Sequence, residues 1–280
     1  MTTTRCWKQA GVAPYSGSLA LARCVLALAP LLVVPGVALA QPLFAAERAG
    51  GRFTAVDQPF AWTVDPSTPA AGGASLSYRF GLSSGVDAER PLPVQVGGRG
   101  FSHAIEVTYG FTDRVAPFAS GTLHDAGDAT AALGAKLQRT APGAAFRATV
   151  MAAGMREGRG GDLGAFGRVA LAYDTGSLRF AGNFHAEKVF AVGRDQLDII
   201  TTLGTSWQVL PFLRVGLEYV GQDLEDAFSD DLEGGARHVV GPDLALDLSG
   251  GRYQLTAGVG AGIGPRSPGL LVRAGFSTAF

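Results

Sequence analysis

From Ala74 to the carboxy terminus, apolar residues recur at nearly every second position. A period of two belongs to an extended strand with two chemically different faces, whereas a helix would repeat every 3.6 residues. The pattern is cleanest where Leu178, Phe180, Gly182, Phe184 and Ala186 alternate with Arg179, Ala181, Asn183, His185 and Glu187. It recurs where Phe101, Ile105, Val107 and Tyr109 oppose Ser102, Glu106, Thr108 and Gly110, and where Tyr253, Leu255, Ala257 and Val259 oppose Gln254, Thr256, Gly258 and Gly260. Counted along the chain, such segments predict an all-β fold, an antiparallel transmembrane β-barrel of about twelve strands, with roughly 10–14 compatible with the same pattern. Turn chemistry separates the segments at Thr112-Asp113-Arg114, Ala141-Pro142-Gly143, Asp174-Thr175-Gly176, Leu210-Pro211 and Ser249-Gly250-Gly251. The tenth strand shows alternation only around Asp243 to Leu248.

The connections alternate as well. Those after the even-numbered strands are short, and the others are mostly longer, with Ser83 to Gly100 and Gln222 to Arg237 the longest. Transmembrane barrels carry short periplasmic turns and long outer loops. An apolar face does not by itself say what it meets, because a soluble barrel or sandwich would turn it into a core. Lipid is favoured by the loop asymmetry and by the second face, which is small, charged and rich in glycine. In the last segment Leu270, Val272, Ala274, Phe276, Thr278 and the terminal Phe280 share a face. This segment resembles the closing strand of Gram-negative outer-membrane β-barrels. The resemblance implies an outer-membrane location, contact with outer-membrane lipid and lipopolysaccharide, and recognition of that strand by the barrel-assembly machinery.

The amino terminus changes the picture of what reaches the membrane. Arg5, Lys8 and Arg23 precede or flank an apolar run from Cys24 to Leu39, and Ala38-Leu39-Ala40 is a small-x-small cleavage pattern. Residues 1–40 therefore read as a signal peptide, and the mature chain begins at Gln41. Its loss turns 23 basic against 24 acidic residues into 20 against 24, a formal net charge of −4 with no basic footprint for nucleic acid. Both cysteines, Cys6 and Cys24, lie in the leader, which excludes disulfides and thiolate chemistry from the mature chain. Residues 41–73 lack clear alternation, and Asp65-Pro66-Ser67-Thr68-Pro69 breaks whatever precedes it. This segment reads as a lumen plug or an extra strand, ahead of a barrel over residues 74–280.

At Tyr109-Gly110-Phe111-Thr112-Asp113-Arg114, and again at Ser267-Pro268-Gly269 before the last strand, the chain resembles a broad group of poorly characterised bacterial outer-membrane proteins. Some of these are transporter-like or linked to a phenol-degradation pathway. The resemblance implies a barrel that passes small solutes.

With the apolar face in lipid, the inward set comprises Arg79, Glu106, Lys136, Arg147, Arg168, Arg179, His185, Glu187, Asp198, Arg214, Glu218, Asp247 and Arg273. A charge facing hydrocarbon at mid-membrane costs roughly 2–4 kcal/mol, so these side chains belong in the lumen. There they either line a selective passage or interlock as ion pairs that fill the barrel. The expected function is a passive channel for small solutes; the alternative is a closed structural or surface-interaction barrel. A lipid-processing enzyme is a third reading, because His185 and Glu187 share a face near Asp198 and Thr202, as general-base catalysis requires. Outer-membrane phospholipases pair a histidine with a serine, and Ser206 lies too far along its strand for that arrangement. The acidic stretch from Asp223 to Glu233 lacks the ligand spacing of a calcium loop. His103, His124 and His238 are scattered without metal-ligand spacing, and no cofactor is called for.

Overall fold

The structure, a computed structural model, describes residues 58–84, 99–124, 129–141, 144–157, 161–191, 197–222, 224, 237–264 and 267–280. The leader, residues 41–57 and nearly all of the acidic stretch lie outside these residues, as does the side chain of His124. Twelve antiparallel strands form one closed barrel: β1 (Ala74–Ser84), β2 (Arg99–Tyr109), β3 (Val115–His124), β4 (Ala129–Gln138), β5 (Phe146–Glu157), β6 (Leu163–Thr175), β7 (Leu178–Val189), β8 (Asp198–Leu210), β9 (Leu213–Gln222), β10 (Arg237–Leu248), β11 (Tyr253–Ile263) and β12 (Leu271–Ala279). Each strand pairs with its sequence neighbours, and β1 closes on β12 through a register running from Ser75 opposite Ala279 to Ser83 opposite Leu271. Closure leaves no unpaired edge in the hydrocarbon, where each unsatisfied backbone group would cost several kcal/mol.

β10 is longer than its alternation suggests. Gly241 and Pro242 sit inside it, and its ladder to β11 skips both, resuming from Asp243 opposite Gly258 in the same register. Proline has no N–H to donate. At Gly241 the backbone of β11 comes so close that a Cβ would collide with Val259 and Gly260. The break in pattern is therefore a local packing device and not a strand boundary. At the other extreme, β6 and β7 are joined through Gly176 at φ 59°, where a side chain would be strained.

The two faces are sorted as lipid and lumen require. Leu133, Leu203 and Leu217 stand on the exterior with more than half of their surface exposed, and Tyr173 and Trp207 stand there near the short connections. Exposed large apolar side chains all round a closed sheet are costly in water and favourable in a bilayer. The chain ends of the barrel meet at the short-connection end, where Ala74 N–H donates to the Phe280 carbonyl at 3.2 Å and Gly72 N–H to the Gly110 carbonyl at 2.7 Å.

Candidate functional site in the barrel lumen

Residues 58–71 run inside the barrel and belong to the same compact unit as its wall. Phe60, Ala61, Trp62, Thr63 and Val64 are all buried, Thr63 completely. This stretch pairs with no strand, so its backbone groups must find other partners. The wall supplies them from side chains. Glu218 on β9 accepts from the N–H groups of Ala61 at 2.6 Å, Trp62 at 3.1 Å and Thr63 at 2.6 Å. Asn183 on β7 accepts from Val64 N–H at 2.6 Å and donates back to the Val64 carbonyl at 2.8 Å, acting as an inserted backbone unit. Gln254 on β11 accepts from Gln58 N–H at 2.7 Å, and Gln138 on β4 accepts from Thr68. The Gln58 amide also staples the loop to itself, donating to the Phe60 and Thr63 carbonyls and accepting from Asp65 N–H.

Space for this loop is cut into the wall by glycine. A Cβ on Gly204 would lie 2.7 Å from the Phe60 ring, and one on Gly258 would lie 2.9 Å from Ala61 and 3.1 Å from the Trp62 ring. Both glycines occupy lumen-facing positions, so the missing side chains are filled by the segment's apolar ones. On the β3–β7 side, Phe118, Met151, Met155, Phe166 and Val189 pack into an apolar cluster that fills the lumen further.

The thirteen inward charges all share strand parity with the buried positions, and the structure gathers most of them into separate groups. Arg147 and Arg179 both reach Asp65, at 3.3 and 3.2 Å, and both reach Asp174, each at 2.5 Å. Asp65 belongs to the inserted segment, so this network clamps it to β5, β6 and β7. Lys136 donates to Glu106 at 2.5 Å. His185 and Glu187 contact one another at 3.2 Å, and Glu187 stands opposite Asp198. Glu218 is occupied by the segment, and Arg273 reaches the Ala61 carbonyl at 3.5 Å. Arg214 donates to Gln208 at 3.4 Å, and Asp247 accepts from Gln254 at 2.5 Å. Arg79 and Arg168 make no hydrogen bond or ion pair with any described residue.

His185 faces Ile200 across the β7–β8 pair, while Ser206 stands opposite Arg179 at the far end of the same pair. The histidine therefore has no neighbouring serine there. Among the described residues, no group of three or more histidine, cysteine, aspartate or glutamate side chains is placed to hold a metal ion. Asp65, Asp174, Gln138, Asn183 and Gln254 complete the lumen chemistry and do not stand out in sequence. Asp65 and Asp174 read as turn residues, and the amides carry no charge. The signal that could reveal them is the coincidence of lumen-facing glycines with a short apolar stretch, Phe60 to Val64, ahead of the barrel.

Among the described residues, open space runs along β1 and β2. One cavity of about 80 Å³ lies between Val64, Thr68 and Pro69 of the segment and Ser75, Arg79 and Lys136 of the wall. A second, of about 30 Å³, lies against Arg79, Ser120, Thr122 and Arg168. Ser77, Arg79 and Glu106 line both, so the two form one narrow polar seam beside the segment.

Comparison with known proteins matches this architecture. The KdgM porin in complex with disordered oligogalacturonate superposes with a TM-score of 0.53 at 10% identity, over 74% of this chain and 99% of that one. The outer membrane channel from Pseudomonas putida F1 gives 0.50 at 13% identity, over 80% and 100%. The NanC porin gives 0.50 at 10% identity, over 72% and 98%. These are likenesses of fold. No family model matches the chain, and no curated protein matches it in sequence. The chain is a transmembrane β-barrel of the bacterial outer-membrane type, and the three neighbours named above are porins or channels.

Proposed function

We propose that this protein is an outer-membrane channel for small solutes whose lumen is closed at rest by residues 58–71. The carrying observation is how that segment is held. It enters no β-ladder: Gln58, Ala61 to Val64 and Thr68 are held by lumen side chains, and only at its end does Ala71 N–H reach Asp113 in the β2–β3 turn, at 3.0 Å. Such a segment can leave without opening the barrel, because the wall's own hydrogen bonds do not depend on it. The short connections face the periplasm in this reading, so the segment withdraws toward the periplasm, the side from which it enters. When it leaves, Gly204 and Gly258 no longer have Phe60 and Trp62 against them, and the seam along β1 and β2 widens into a polar pore.

The second reading is a closed structural barrel, favoured by the apolar cluster of Phe118, Met151, Met155, Phe166 and Val189 inside the lumen. Planar-bilayer recording separates the two. The refolded mature protein is expected to show mostly closed channels with brief openings. A variant with residues 59–64 replaced by a glycine-serine linker is expected to conduct steadily. Absence of current from the linker variant, when it is folded, would favour the closed barrel.

A further inference from the structure

Arg168 on β6 is only 6% exposed, yet its guanidinium donates to no described group. Its contacts are the face of the Phe166 ring, with 6.0 Å to the centroid, and the smaller of the two lumen cavities. Arg79 on β1 lines that same cavity from the opposite wall, and the Glu106 carboxylate, held by Lys136 at 2.5 Å, lines it as well. Arg273 adds to the positive field from the neighbouring strand. Arg79 stands opposite Gly275, and Arg273 opposite Gly81, so the two arginines are diagonal neighbours on the lumen face of β1 and β12. The carboxylates within electrostatic range of Arg168 are Glu106 and Glu187, and each is engaged elsewhere, Glu106 by Lys136 and Glu187 by His185. A buried guanidinium without an acceptor carries a desolvation cost that an anion or ordered water must offset.

We propose that the cavity between Arg79 and Arg168 is an anion-binding site that takes one carboxylate group of a passing solute. The site rests on the channel reading for its role, but its chemistry stands on these residues alone. Guanidinium groups present planar pairs of N–H donors that match the two oxygens of a carboxylate. The serine and threonine side chains around them, Ser77, Ser120 and Thr122, supply further donors. A cavity of about 30 Å³ holds a single small group. With residues 58–71 in place, the charged head of a solute fits there and its body does not.

The test uses bromide as an anion that can be located directly. Crystals of the refolded mature protein grown with sodium bromide are expected to show an anomalous peak between Arg79 and Arg168. Addition of sodium formate is expected to remove it. Arg168→Gln and Arg79→Gln should lose the peak, Arg168→Lys should keep it, and Arg214→Gln, remote from the cavity, should leave it unchanged. In bilayers under a potassium chloride gradient, the two glutamine variants at the site should lower the chloride-to-potassium permeability ratio by about tenfold, the effect of removing one buried charge from a narrow pore. Heat-modifiable gel migration checks folding, and the half-buried Arg79→Gln carries the test if Arg168→Gln does not fold. No peak in wild type, or a peak that survives in both glutamine variants, overturns the site. A bromide peak that formate fails to displace overturns the carboxylate assignment. Bound bromide without current in any channel-opening variant would overturn the channel reading while leaving the anion site standing. Current without bound bromide would do the reverse.

Discussion

A single carboxylate carries much of the hold on the inserted segment. Glu218 is almost fully buried and accepts from three successive backbone N–H groups, which is what a helix or strand neighbour would otherwise do. Hydrogen bonds to a charged group contribute about 1.5–3 kcal/mol each, and a buried N–H left without an acceptor costs about 1–3 kcal/mol. Glu218→Ala should therefore shift the segment toward its withdrawn state at least tenfold, since about 1.4 kcal/mol suffices for that. Glu218→Gln keeps one oxygen and should fall between. Both cysteines, Cys6 and Cys24, precede residue 41, so a Thr63→Cys reporter would be unique in a protein produced from Gln41 onward. Its labelling rate by a water-soluble thiol reagent should rise in the order wild type, Glu218→Gln, Glu218→Ala. Equal rates in all three would show that the carboxylate does not hold the loop.

At the scale of elements, the fit between segment and wall depends on what the strands omit. Gly258→Val would place methyl groups where the Trp62 ring lies, and a Cβ alone already comes to 3.1 Å of it. Overpacking of this kind costs about 1–3 kcal/mol, and the loop is the part able to move. Thiol labelling at position 63 should rise in this variant as it does for Glu218→Ala, with no change of charge. Gly154→Ala, where a Cβ would meet nothing within 4 Å, should leave labelling unchanged. These glycines also mark where sequence reasoning stops. Alternation makes the strands legible, because a residue's side of the sheet follows from its parity, and it places Arg79, Arg168 and Glu218 on the polar face. Parity says nothing of partners across the lumen, so the clamp of Asp65 by Arg147 and Arg179 is invisible until the barrel closes. Residues 58–71 have no period at all, since their backbone is satisfied by side chains and not by a neighbouring strand. β10 loses its pattern at Gly241-Pro242 for a related reason: close approach of β11 replaced side-chain alternation there.

For the whole molecule, the decisive claim is that the exposed apolar face meets hydrocarbon. A soluble barrel with the same strands would have its apolar residues inside, whereas here the buried interior holds arginines and carboxylates, and Leu203 is 53% exposed. The cost of a charge on that face then depends on depth, which no aqueous surface would reproduce. Leu203 lies near the middle of β8, opposite Gly182 and Tyr219, while Leu123 lies at the end of β3 beside a long-side connection. Leu203→Arg should destabilise the barrel by roughly 2–4 kcal/mol, and Leu123→Arg by only about 0–1 kcal/mol, because arginine near the interface reaches water and headgroups. Equilibrium refolding from denaturant into phospholipid vesicles measures both. If the two substitutions cost the same, or if Leu203→Arg is neutral, the exterior does not face a bilayer, and the channel reading loses its physical basis.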